Sequence, residues 1–125
     1  MELKDIVCEW VIAQLKADVT VAKLTNGEVF AFRSKRPVQG AFVALSDYVT
    51  DFDRTKDGLF PAKFSFTANC VAASLTEADE LAEAVGVALA DKLIPGVDEA
   101  LYLLSMVTDV DNEDFCHKLN FLIEF

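Results

Sequence analysis

Apolar positions along the chain change period several times, and each change marks an element. From about Glu2 to Lys16, the charged residues Glu2, Asp5, Glu9 and Lys16 are spaced by three, four and seven. That spacing gathers them on one side of a helix. Leu3, Ile6, Val7, Trp10, Val11, Ala13 and Leu15 cover most of the remaining surface. The arc is wider than one sheet face needs, so the helix either lies deep in the core or turns one flank to another subunit. Val19 to Leu24 then leads into Thr25-Asn26-Gly27, whose Asn-Gly pair is a strong turn signal. Glu28 to Phe32 reads as a short strand, ended by the basic stretch that closes on Pro37.

Ala41 to Val49 reads as a strand with Val43 and Leu45 on one face and Phe42, Ala44 and Tyr48 on the other. Asp51, Asp53, Arg54, Lys56, Asp57 and Gly58 predict a polar turn. In Lys63 to Val71, Phe64, Phe66, Ala68 and Cys70 alternate with Ser65, Thr67 and Asn69. Strict alternation of this kind means one buried and one more polar face. Thr76 to Leu93 predicts a helix with Ala78, Leu81, Ala82, Val85 and Leu89 in one narrow stripe. Thr76 is its expected cap, Asp79 stands in a capping-box-like position, and Pro95-Gly96 stops it. Ala100 to Val110 and the alternating Leu119, Phe121, Ile123 and Phe125 supply two final strands. The predicted order is α-β-β-β-α-β-β. It gives a single α+β domain over residues 1–125, with an antiparallel-rich sheet of about five strands packed by two helices.

Composition changes this picture in one respect. The 125 residues are 53% hydrophobic with a mean hydropathy of +0.29. Such values fit either a dense core or an apolar surface covered by partner subunits. Charge excludes more: the formal net charge of −10 repels phosphates and anionic headgroups, so neither nucleic-acid binding nor membrane binding is expected. No apolar run reaches the ~18 residues of a membrane span, and the acidic residues near the start do not fit a signal peptide. Cys8, Cys70 and Cys116 are odd in number and fit no zinc spacing, which predicts reduced thiols and no bound metal.

The chemistry-bearing residues do not assemble into an active site. His117 follows Cys116 directly, and adjacent residues of a strand point to opposite faces, so the two are not expected to form a nucleophile–base pair. Asp109, Asp111, Asn112, Glu113 and Asp114 begin like a calcium loop. Asp114 stands where the turn glycine belongs, and Asn120 where the bidentate glutamate belongs. There is no phosphate-binding glycine loop, nucleophile elbow or zinc-binding helix, and no cofactor is expected. Arg33, Lys35 and Arg36 stand out as three cations within four positions of an acidic chain. They read either as a solubilising loop or as an arm that contacts an acidic partner surface.

Several segments carry a family resemblance. They are Asp18 to Leu24, Gly27-Glu28-Val29-Phe30, Phe42 to Ser46, and Phe64 to Ser74 running into Thr76-Glu77-Ala78-Asp79-Glu80-Leu81. In element order, and in the junction from strand through small residues into an E-A-x-x-L helix, the chain resembles bacteriophage tail terminator and tail-completion proteins. Gly40-Ala41 departs from the proline that many members carry before the second strand. The resemblance implies a subunit without catalytic residues, in a virion tail assembled in the bacterial host cytoplasm. It would cap the tail tube, join it to the head through connector proteins, and act as a homo-oligomeric ring, typically a hexamer. Acidic residues lining such a ring would keep passing DNA from sticking. The candidate patches for a head-to-tail contact in such a ring are the flank of the first helix with the loop from Arg33 to Pro37 on one copy and the Asp51 to Gly58 turn on the next, which would set Arg33, Lys35 and Arg36 against Asp51, Asp53 and Asp57 at the rim. The competing readings are another ring-forming virion or secretion component, and a small-molecule-binding module with a pocket between helix and sheet.

Overall fold

The computed structural model of the chain describes residues 3–31, 40–111 and 114–125. It opens with helix α1 (Leu3–Ala17), whose Val7, Val11 and Leu15 repeat every four residues and are fully buried. Asp18 then caps a second, seven-residue helix, α2 (Val19–Thr25), by accepting a 3.0 Å hydrogen bond from the Val21 amide. This helix was not foreseen. The Asn-Gly signal at its end encodes left-handed backbone, and Asn26 (φ 55°) and Gly27 (φ 80°) use it to terminate a helix rather than to turn a hairpin. α2 also accounts for the wide apolar arc of α1, which packs against α2, α3 and β1 together.

A five-stranded sheet follows, in the order β1-β2-β3-β5-β4. β1 (Val29–Phe30) runs parallel to β2 (Phe42–Thr55) and pairs only with Val43 and Ala44. The other pairs, with β3 (Gly58–Ala72), β5 (Asp114–Glu124) and β4 (Tyr102–Asp111), are antiparallel. Between β3 and β4 the chain passes through α3 (Leu75–Leu89). The predicted α+β class and antiparallel-rich five-stranded sheet match this architecture, with α2 added to the two expected helices.

All three helices cover one face of the sheet, the face on which the buried apolar side chains gather. Phe64, Phe66, Ala68, Cys70 and Ala72 of β3 point under the helices with Val43 and Leu45 of β2 and Leu119, Phe121 and Ile123 of β5. Phe66 and Phe121 stack at 5.4 Å between ring centroids. Ala78, Leu81, Ala82, Val85 and Leu89 are the buried stripe of α3, as their spacing predicts. Its N-cap is Ser74, which accepts from the Glu77 amide at 3.2 Å, two residues before the expected Thr76. The helix also ends early, at Leu89, and residues 90–101 fold back through an isolated Leu93–Ala100 bridge.

The largest departure from the sequence reading lies between β2 and β3. Asp51 to Gly58 is not a polar turn. The strands continue to Thr55 and from Gly58, leaving only Lys56-Asp57 as the turn. β5 reaches no further along β3 than the Lys63–Glu124 pair, followed by a hydrogen bond from the Phe125 amide to the Ala62 carbonyl. Beyond that point the hairpin stands clear of the sheet as a two-stranded arm. Asp47, at φ 55°, sits in a bulge at the foot of the arm. An extra residue of this kind bends a strand and increases its local twist.

Candidate functional site

Two edges of this sheet are unusual. β4 is an edge strand of ten residues, and an edge presents unpaired backbone donors and acceptors to any passing strand. Folded proteins usually guard such an edge with charge, proline or brevity. Tyr102 to Thr108 carries no charged residue and no proline. Its register with β5 puts Leu103 and Met106 on the helix side and Tyr102 and Val107 on the other. Tyr102, Leu103, Leu104, Met106, Val107 and Val110 are all between 40% and 61% exposed. β4 is therefore apolar and bare on both faces.

The arm is the second such region. Phe52, Leu59 and Phe60 are each exposed by half or more. Phe52 lies opposite Pro61, and Phe60 opposite Asp53, in successive pairs, so the two rings lie on opposite faces of the arm. β4 and the arm together hold nine of the fifteen large apolar side chains exposed among the described residues, so the apolar surface is concentrated rather than scattered. Beside β4, a groove separates the strand from α3. Ala82, Gly86, Leu103, Met106 and Leu119 line it, and Asp79, Glu83 and Asp91 give it an acidic rim. A Cβ on Gly86 would stand 3.8 Å from Leu103, so the helix passes close over the strand here.

One polar cluster ties these elements together. His117 is 2% exposed on the helix side of β5. Its Nδ1 lies 2.9 Å from Thr108 Oγ1 on β4, and its Nε2 lies 2.6 Å from Asp79 Oδ1 on α3. Cys116 points the other way, towards Asn69 Oδ1, as strand geometry requires. Hydroxyl, imidazole and carboxylate in a row are also the parts of a nucleophilic relay. Here the three groups come from three different elements, β4, β5 and α3, and their hydrogen bonds tie those elements together. The cluster works as a three-element brace.

The opposite, helix-free face of the sheet carries a lane of short polar side chains. Asn69 Nδ2 donates to Ser46 Oγ at 2.7 Å and to the Ala44 carbonyl at 2.9 Å. Thr67 Oγ1 donates to Asn120 Oδ1 at 2.8 Å, and Asn120 Nδ2 to Ser105 Oγ at 2.9 Å. A depression of about 380 Å³ lies on this face, lined in part by Phe42, Ser46, Asn69 and Lys118. The interface between helices and sheet, where a ligand pocket would be expected for a binding module, is filled by Phe64, Phe66 and Phe121.

Of the residues singled out from sequence, Asp51, Asp53 and Asp57 are exposed on the arm. Arg33, Lys35 and Arg36 lie outside the described residues, as do Asn112 and Glu113 of the calcium-like stretch. Among the described residues no group of three or more histidine, cysteine or acidic side chains could hold a metal ion, and no helix is long and apolar enough to cross a membrane. Sequence reasoning did not find β4 as a surface. An apolar strand reads as core, and its edge position depends on β5 inserting between it and β3.

Cys8, Cys70 and Cys116 are all buried thiols. Burial raises the pKa of Cys8, and that of Cys70 still further, well above the ordinary 9.0. In the folded protein Cys70 should resist a thiol reagent and label only as fast as the chain unfolds. The same shift has a sign for stability. Above the ordinary thiol value the unfolded chain loses this proton while the folded chain keeps it, so stability falls as pH rises past about 9. Denaturant midpoints on either side of that pH should show the loss, and Cys70→Ala should reduce its slope. Labelling of native Cys70 at the rate of an exposed thiol would contradict its placement.

No protein-family model matches the sequence, and no curated protein does either. Among solved structures, the chain is similar to one from the virion of a native gene transfer agent particle. The TM-score is 0.79 at 22% identity, over 94% of this chain and 92% of that one. The two share a fold along nearly their whole length.

Proposed function

We propose that this chain is a structural subunit of a phage-like particle, and that it caps the tail tube and joins it to the head as a ring of identical copies. The observation that carries the reading is the full-length likeness to a chain of a virion particle, which agrees with the resemblance of the sequence to tail terminator proteins. The surface supports it too. Exposed apolar side chains gather on one edge strand and one projecting arm, which suits a protein made to be covered by others. A filled helix–sheet interface weakens the small-molecule reading. The test is imaging of the assembled particles with this subunit labelled. The expected result is a closed ring of copies, six by the resemblance, at the head-proximal end of the tail tube. Absence from that end, or a single copy there, would overturn the proposal.

Charge at the rim of the contact sets its rate. We assign that role to Arg33, Lys35 and Arg36 against Asp51, Asp53 and Asp57 of a neighbouring copy. Replacing the three cations together with glutamine should leave the denaturation midpoint nearly unchanged and slow assembly, with a weaker dependence on salt. Unchanged assembly kinetics at low salt would reduce the cluster to a solubilising segment.

A further inference from the structure

The sheet has two open edges, and they match. Among the described residues, β4 pairs with no strand along its outer side, and β1 pairs only with Val43 and Ala44 of β2, so β2 has no described partner strand on that side from Leu45 to the tip of the arm. Each strand from β2 through β3 and β5 to β4 is antiparallel to the one before. β2 and β4 therefore run in opposite senses. If the same sheet is repeated beside itself in the same orientation, β4 of one copy meets β2 of the next as an antiparallel pair, the more favourable ladder. Apolar character matches as well. β4 is bare on both faces, and so is the arm, with Phe52 on one face and Phe60 on the other.

We infer that β4 receives the β2–β3 arm of a second copy, which adds to the sheet edge and lays its aromatic side chains over both faces of the strand. The occupant is another copy because the two halves of the contact sit at opposite edges of this one sheet. The chemistry also favours a place without charge. Copies that each carry a formal net charge of −10 repel one another, and Tyr102 to Thr108 adds no charge of its own to that repulsion. Joining the two sets covers nine of the fifteen large apolar side chains that the described residues leave exposed. A patch of that kind suits the core of a standard interface, about 800 Å² per partner. An isolated two-stranded hairpin is marginal in water, so the arm itself gains from being seated. A contact between two different patches propagates head to tail and must close into a ring or grow into a filament. The inference rests on the ring reading above and supplies its contact.

Complementation between two variants tests it. One carries Phe52→Glu and Phe60→Glu on the arm; the other carries Leu104→Lys and Val107→Lys on β4. All four positions are exposed, and an unchanged thermal midpoint would verify folding of each. The unmodified chain should self-associate at high protein concentration in sedimentation analysis. Each variant alone should stay monomeric. A mixture should give a one-to-one dimer and nothing larger, because it contains a single intact pair of patches. Dimers of the arm variant alone would show β4 pairing with β4 and overturn the inference. So would a mixture that stays monomeric, or an unmodified chain that stays monomeric at the highest concentration reached. Particle imaging separates this from the functional reading. Copies at the tail end together with a monomeric mixture would remove the contact and leave the function, and a dimeric mixture with no copies in the particle would do the reverse.

Discussion

Phe66→Ala is expected to lower the stability of the fold by about 3–5 kcal/mol, the range for emptying a large aromatic site in a core that relaxes only in part. Phe66 is 2% exposed at the centre of the sheet, stacked on Phe121 and 6.3 Å from the ring of Phe64. Its strand pairs with β5 at Phe121 and with β2 at the flanking Ser65 and Thr67, on either side of the β2 bulge, which limits how far the site can collapse. A domain of this size has only about 5–15 kcal/mol in total, so the variant should be close to its unfolding limit at ordinary temperatures. Chemical denaturation measures the change. A loss under about 1 kcal/mol would mean that the ring is not a core residue, since surface changes stay within about 0.5 kcal/mol. Phe66→Leu should cost much less, because most of the buried volume is kept.

The second large effect is expected at His117. Its ring joins α3, β4 and β5, and His117→Ala removes both hydrogen bonds and leaves a hole beside the edge strand. Hydrogen bonds to charged groups contribute about 1.5–3 kcal/mol, and the lower half of that range is appropriate here because Asp79 is 61% exposed and water can take over its carboxylate. Asp79→Asn keeps an acceptor and should cost less than His117→Ala. Thr108→Val deletes the hydroxyl and keeps the shape. A double-mutant cycle between Thr108 and His117 isolates their coupling, and a value near zero would show that the brace is not a connected unit. Amide exchange gives a readout that a simple hole would not. Loss of the brace should loosen β4 and the N-terminal turn of α3 together, leaving β2 unaffected.

The core was legible in the sequence because it follows strict periods. Phe64, Phe66, Ala68 and Cys70 alternate, Ala78, Leu81, Ala82, Val85 and Leu89 repeat on one helix face, and both sets are buried as their spacing requires. α2 escaped because seven residues carry too little period to separate a helix from a strand, and its end signal is shared with hairpin turns. The arm escaped for a different reason. Asp51, Asp53, Arg54 and Asp57 look like a turn, since charge and glycine usually mark one, yet the backbone pairs through most of them. The receiving edge was hidden by topology. Which apolar strand ends up outside is decided by pairing between segments distant in sequence, and local periodicity carries no record of that.

That same strand order has a kinetic side. The β2–β3 hairpin closes across two residues, a step on the order of microseconds, whereas β5 reaches β3 through contacts such as Thr67 with Asn120, 53 residues apart. Until β5 is seated, β3 offers an open edge, and the uncharged run of β4 is free to pair with it first. A register in which β4 takes that place would have to come apart before β5 enters. Refolding should therefore show a slow phase that grows when β5 is weakened. Leu119→Ala should slow folding, and Phe52→Ala on the arm should leave the rate nearly unchanged. Equal slowing by both would place the arm within the folding nucleus. An edge left bare for a partner is, before any partner arrives, a competitor for the centre of its own sheet.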